Sequence, residues 1–176
     1  MSPTGFIKGQ VQQLHVLDYG LFKVHANGRV IGICGFLMVT DRGERILVDT
    51  GFPQKYAEDV EAASFEDKLG GFGEVLELTR DNLPKTQLAK AGVAMADIDL
   101  LIMTHTHIDH VGGLCDFPNV PILIAKAERN LAKPLYWGDV KPMDWPDRKY
   151  LLVEGDIGLG PNLRVLLVPG HAPGQL

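Results

Sequence analysis

At 176 residues, 45% hydrophobic and 22% charged, the chain is long enough for one domain with a real core and too short for two ordinary ones. Acidic residues outnumber basic ones 22 to 17, for a net charge of -5 and no basic patch, which argues against a nucleic-acid partner. Two cysteines cannot build a disulfide framework.

Residues 1–10 hold no apolar run of signal-peptide length, and no stretch approaches the roughly 18 apolar residues of a membrane span, so a cytoplasmic chain with no membrane partner is expected. Residues 12–17 and 21–25 read as two short strands. Asn27-Gly28 is a hairpin signal because both residues tolerate positive φ. A long apolar strand is predicted over 30–40, a turn at Asp41-Arg42-Gly43, and a return strand over 44–48 that closes on Asp49-Thr50-Gly51. Cys34 lies in the apolar run and is expected to be a buried thiol.

The middle of the chain reads as helical. A helix over 54–69 follows Pro53 and is broken by the glycines of 70–73. A second helix over 84–91 starts on Pro84, where a missing N–H costs nothing, and Gly92 stands where a helix ends. Residues 98–103 form a short, buried, almost wholly apolar strand. Beyond lie a strand over 121–125, a helical turn over 126–132, an aromatic and proline-rich loop over 134–146, and strands over 150–153 and 163–168.

The chemistry is concentrated just after the 98–103 strand, in Thr104-His105-Thr106-His107-Ile108-Asp109-His110-Val111-Gly112-Gly113. Imidazole and carboxylate together suit Zn²⁺, and Fe or Mn as well. His105 and His107, two apart on extended backbone, can point the same way. Asp109 and His110 belong to the turn that opens the next helix and can point to a neighbouring location, so one short segment can serve two metals. The alternative is a polar surface loop with solvated histidines, but a solvated loop has no reason to follow a buried strand so abruptly. His15 and His25, in strand-like segments, are read as partly buried or exposed without a metal. Cys115, five residues past His110, is read as a packing residue rather than a ligand.

The segment 104–113 resembles the HxHxDH signature of the metallo-β-lactamase superfamily. Ile46-Leu47-Val48-Asp49-Thr50-Gly51 resembles that superfamily's strand-ending DTG motif. Pro169-Gly170-His171-Ala172-Pro173-Gly174 resembles its GHTPG motif, with alanine in place of threonine. Three motifs in the right order extend the resemblance from about residue 12 to the end. Residues 14–20, 87–93 and 97–100 further resemble the N-acyl homoserine lactonase group, a likeness shared with related esterases.

The resemblance implies an α/β fold, the αββα sandwich of that superfamily, with its first half and part of its second contained in a single domain over 1–176. It implies His105, His107 and His171 on a first metal, and Asp109 and His110 on a second, with Asp109 also the catalytic candidate. Asp49 would accept a hydrogen bond from a ligating imidazole; otherwise it is a turn aspartate. Two Zn²⁺ per complete enzyme are expected, with Fe or Mn as substitutes. The family pattern needs a bridging aspartate and a final histidine after the GHTPG motif, and neither is found, so the chain is expected to be a piece of a longer enzyme. Missing its second sheet, it is expected to be poorly soluble or a homodimer.

The implied reaction is hydrolysis of a small-molecule ester or lactone, with hydroxide held by the metals opening an acyl-homoserine-lactone-like ring, as in quorum-quenching lactonases. Other hydrolases share the core, among them glyoxalase-II-like thioesterases and β-lactamases. A non-catalytic metal-binding piece is the reading from a different class. Tyr136, Trp137 and Trp145 are candidates for an apolar substrate wall or for anchoring their loop to the core, and Phe22 and Phe72 are further candidates for the wall. The deciding expectation is geometric: the side chain of His171 must lie against those of His105 and His107.

Overall fold

The computed structural model describes residues 3–176. Its first half is an antiparallel meander. Strand β1 (Val11–Val24) turns through Asn27-Gly28 into β2 (Val30–Thr40), with Gly28 at φ 69 and its N–H donating to the Val24 carbonyl at 2.9 Å. A second turn, with Gly43 at φ 79, leads to β3 (Arg45–Val48), antiparallel to β2. The two strands expected over 12–17 and 21–25 are one strand with an irregular register between Asp18 and Leu21. The irregularity falls at Gly20, where φ is 107 and a Cβ would strike the Glu77 carbonyl.

The predicted helix over 54–69 is two helices, α1 (Lys55–Glu58) and α2 (Val60–Glu66). Asp59 breaks it: its backbone is extended and its side chain accepts the Ala62 N–H, capping the second helix. The glycines after it do not simply end structure. Residues Leu69–Gly71 make one 3-10 turn, and β4 (Gly73–Glu77) pairs antiparallel with β1 at the sheet edge. Gly73 packs where a side chain would meet the Phe22 ring and the Lys23 carbonyl.

Helix α3 (Pro84–Lys90) ends at Gly92, whose φ is 73 while the following Val93 N–H returns to the Leu88 carbonyl. From β3 onward the sheet is parallel: β5 (Leu100–Ile102), β6 (Ile122–Ala125) and β7 (Tyr150–Val153) add in turn. The short helices α4 (Ile108–Val111) and α5 (Lys126–Arg129) follow β5 and β6. The seven strands run in the order β4-β1-β2-β3-β5-β6-β7. A separate antiparallel pair closes the chain, β8 (Ile157–Gly160) and β9 (Leu163–Val165). Strand β8 was not foreseen, and the strand expected over 163–168 stops at Val165.

Strand alternation divides the core between the two faces of the large sheet. On one face Leu17, Leu37, Leu47, Leu101 and Ile122 pack under the helices with Tyr56, Leu88 and Val111. On the other, Met38, Ile46, Leu100, Leu123 and Leu151 pack against Leu159 and Val165 of the small sheet. The layers are therefore helices, large sheet, second sheet, the mixed α/β arrangement expected. No helix among the described residues is long and apolar enough to cross a membrane.

The second layer meets only the start of β1, where Val11 packs against it and its N–H donates to Asn162 Oδ1 at 2.8 Å. Leu14 and Val16, opposite Met38 and Phe36, are 62% and 67% exposed. Such a face favours self-association. Multi-angle light scattering on the 176-residue chain is expected to show oligomers, and Leu14→Thr with Val16→Thr, which places β-branched residues at both strand positions, is expected to shift it toward monomer. A monodisperse wild-type monomer would contradict this.

Candidate metal centre

The site stands at the carboxyl ends of β3 and β5, where parallel strands leave their last side chains and loops free to converge. Beyond β5 the chain bends at Thr104 and reaches His107, which opens α4 at φ -68, ψ 159. The rings of His105 and His107 face one another at 4.7 Å, and the α4 turn presents Asp109 and His110 beside them. The end of the chain is drawn alongside: the Leu176 N–H donates to the Thr104 carbonyl at 2.9 Å, and Val168 N–H to the Gln175 carbonyl at 2.8 Å. The turn between carries His171.

The three histidines meet. Ring centroids are 4.7 Å apart for His105 and His107, 4.9 Å for His105 and His171, and 4.7 Å for His107 and His171. One ligand nitrogen from each lies within 4.8 Å of the others. His107 Nδ1 and His171 Nε2 are 3.0 Å apart. Two nitrogens held at 2.0–2.1 Å from one tetrahedral ion stand ~3.3 Å apart, so this spacing suits a shared cation. His105 makes the same point independently. Its Nδ1 lies 3.2 Å from Thr104 Oγ, while its Nε2 is buried with no hydrogen-bond partner. A buried acceptor without a partner is costly unless something occupies it, and a cation there completes it. The donor set fits a divalent metal.

Electrostatics separates the histidines. Burial, reinforced by the neighbouring His110 and His107, lowers the His105 pKa to about 3. Burial and His171 lower that of His107. Both stay neutral, the form that ligates. His110 goes the other way. Burial alone would lower it, but the carboxylates of Asp109 and Asp49 outweigh burial and raise it to about 10. Asp109 is lowered in turn: burial opposes its ionisation, and His110 more than compensates.

Asp49 organises this side. It adopts a left-handed backbone at φ 60, unusual for a non-glycine. Its Oδ1 accepts the Thr104 N–H at 2.8 Å, and its Oδ2 accepts Thr104 Oγ at 2.7 Å and faces His110 Nδ1 at 2.8 Å. Thr50 Oγ donates to the His110 carbonyl at 2.8 Å, and Gly112 N–H to the Gly51 carbonyl at 2.8 Å. With Nδ1 held by Asp49, His110 turns Nε2 toward Asp109 Oδ2 at 3.4 Å. Among the described residues, only His105, His107 and His171 form a group of three donors. Asp109 and His110 stand as a pair beside them.

A cavity of about 440 Å³ opens at the histidines, with Phe22, Ile31, Phe52, Phe72 and Trp137 in its apolar wall. The aromatic candidates divide. Phe22, Phe72 and Trp137 line it, with Phe72 packed between the other two at centroid distances of 5.9 and 4.6 Å. Tyr136 is not in the lining. It is buried, at φ 54, with its hydroxyl donating to Asp67 Oδ2 at 2.9 Å. Trp145 is not in the lining either, since its indole N–H donates to the Leu131 carbonyl and its ring stacks on Arg129. A larger depression of about 710 Å³ near Arg80, Lys85 and Asp116 contains none of the histidines. Cys115, expected to pack, is exposed in a 3-10 turn, and Cys34 is half-buried rather than buried, on the Met38 face of β2 opposite exposed Asp18 of β1. His15 is half-buried and His25 exposed.

Sequence reasoning missed Asp67. It is buried and accepts hydrogen bonds from Tyr56, Tyr136 and Lys55 at 2.8, 2.9 and 2.8 Å. Burial and this carboxylate push both phenols up in pKa. The cluster anchors Tyr136, whose N–H donates to the Thr106 carbonyl and whose carbonyl accepts the Ile108 N–H. The loop carrying Trp137 is thereby fixed to the metal segment.

The family model of the metallo-beta-lactamase superfamily matches residues 34–176. The chain belongs to this superfamily. It is 34% identical over 144 residues to an N-acyl homoserine lactonase of Bacillus cereus, spanning 80% of this chain and 54% of that relative. The chain spans about half the length of the curated relatives it matches. Among solved structures it is similar to B. thuringiensis AiiA with N-decanoyl-L-homoserine bound at the active site, with a TM-score of 0.77 and 25% identity, covering 94% of this chain and 69% of that one. A second, an N-acyl homoserine lactone hydrolase with its product N-hexanoyl-L-homoserine bound at the catalytic metal center, superposes with a TM-score of 0.76, at 25% identity and the same coverage.

The Asp67 cluster yields a direct test. Tyr136→Phe removes one donor from a buried carboxylate and is expected to destabilise the superfamily domain by about 1–3 kcal/mol in urea unfolding at constant m. A loss within about 0.5 kcal/mol, typical of an inert surface site, would show that the cluster does not hold the loop.

Proposed function

We propose that this chain carries the first metal site of a hydrolase that opens the ring of N-acyl homoserine lactones, with Zn²⁺ as its cation and Fe or Mn as substitutes. The observation that carries the reading is the meeting of His105, His107 and His171 at the mouth of an apolar cavity. The similarity to lactonases, one of them with an N-acyl homoserine product bound at its catalytic metal center, supports it. When bound, the cation supplies Lewis-acid polarisation and lowers the pKa of water from 15.7 to about 7.

The chain's own residues contribute the rest. His105, His107 and His171 supply the nitrogen lone pairs. Asp109, held ionised beside His110, is positioned to accept a proton at Oδ2 and return it to the leaving oxygen as the ring opens. Asp49 fixes the His110 ring so that Nε2 faces the site, where Asp109 and His110 would be the pair to hold a second cation, His110 giving up its ring proton to do so. Phe22, Phe72 and Trp137 offer an acyl chain a water-poor wall. No Gly-x-Ser-x-Gly nucleophile elbow is present in the sequence, and none is needed.

A substrate panel on the full-length gene product reconstituted with Zn²⁺ tests this. N-acyl homoserine lactones are expected to exceed a glutathione thioester and a cephalosporin by at least ~10-fold in kcat/KM, a difference of about 1.4 kcal/mol in transition-state binding. Chelation is expected to abolish turnover and Zn²⁺ to restore it. Preference for the thioester or the β-lactam would assign the chain to another branch of the same chemistry. Turnover that survives chelation would refute the metal role.

A further inference from the structure

A second buried carboxylate lies behind the histidines, and the roles assigned above do not use it. Glu128, in α5, has no solvent exposure. Its Oε2 accepts a hydrogen bond from Thr106 Oγ at 2.6 Å, and its Oε1 accepts the Gly174 N–H at 3.3 Å. Thr106 is itself fully buried between His105 and His107, and its Oγ also accepts the Leu135 N–H at 2.9 Å. Gly174 is the third residue after His171. One side chain thus touches both of the segments that supply the imidazoles, and through Leu135 the loop that carries Trp137.

The packing is as close as the hydrogen bonding. A Cβ on Gly174 would come within 2.7 Å of Ala125 Cβ and 2.8 Å of Glu128 Cγ, so the 171–174 turn rests directly on α5. A carboxylate in such a place is costly to bury, and an apolar side chain of similar size commonly packs as well or better there. Packing alone therefore does not account for it. Its geometry does, since it accepts from the two segments at once.

We propose that Glu128 is a positioning residue of the metal centre, locking segments 104–107 and 171–174 in the register that brings His171 against His105 and His107. It acts through the Thr106 hydroxyl and the Gly174 amide and touches neither cation nor substrate. The proposal rests on the reading of the three histidines as a metal site.

The test uses the 176-residue chain and cobalt(II) alone, with affinity read by competition against a chromophoric chelator and coordination by visible d–d absorption. Glu128→Gln and Thr106→Val are expected to bind cobalt roughly 10–100-fold more weakly, the usual cost of losing support behind a ligating histidine, with an altered absorption envelope. Thr106→Ser, which keeps the hydroxyl, is expected to restore both. Leu88→Ala, a cavity in the remote α3 packing, is expected to lower the melting temperature and leave cobalt affinity unchanged. Wild-type affinity and spectrum in Glu128→Gln and Thr106→Val would overturn the proposal, as would losses matched by Leu88→Ala. If Glu128→Gln does not fold, Thr106→Val against Thr106→Ser decides. A wild-type chain that takes up no cobalt is a separate result, and it overturns the metal-site reading beneath the proposal.

Discussion

Three imidazoles with ring nitrogens turned toward one point form an arrangement that a chain does not adopt for its own sake. His105 Nε2 has surrendered water without gaining a partner, a loss of about 1–3 kcal/mol when nothing replaces it. His107 and His171 are 64 residues apart and still bring nitrogens to 3.0 Å. Everything else at this end of the molecule serves to hold that arrangement. The loop that leaves β5 through the bend at Thr104 delivers His105 and His107. The Leu176 amide and Glu128 hold the last turn against the same segment. The result is a preorganised site, in which less of the binding energy of a cation is spent on ordering the chain.

Charge is divided within the same few ångströms. His105 and His107 are kept neutral by burial and by each other, whereas His110 is held by two carboxylates. Asp49 stands at the origin of this division. It leaves β3 in a left-handed conformation and grips both Thr104, which precedes the histidines, and His110, which follows them. A single turn residue therefore sets the spacing between the three-histidine group and the Asp109–His110 pair. Its backbone strain, of order 1–3 kcal/mol for such a conformation, is sustained by the hydrogen bonds that the conformation permits.

The legible part of this architecture is the part encoded locally. The run of 30–40 became a strand with those bounds because its apolar residues suit a nearly buried ladder, and Pro84 and Gly92 bracket a helix because their backbone preferences are intrinsic. The histidines were legible because imidazoles two apart after a buried strand have few other uses. What could not be read depends on distant partners. Asp67 looks like any helix-end acid until Tyr136, 69 residues away, is laid upon it. Glu128 reads as a surface position on a short helix until the 104–107 and 171–174 segments close over it. Strands β4 and β8 were hidden by glycines, which signal turns in isolation and close packing in the fold. Tyr136 and Trp145 read equally as cavity residues or as anchors of their loop, and the choice fell to anchoring because each has a polar group that found a partner elsewhere.

X-ray absorption at the zinc edge, on the chain loaded with one equivalent of Zn²⁺, reads the central claim without reference to any reaction. The account predicts a first shell at about 2.0–2.1 Å with multiple scattering from three imidazoles, and loss of one imidazole in His171→Ala. A shell of oxygens alone, or one unchanged by removing His171, would contradict it.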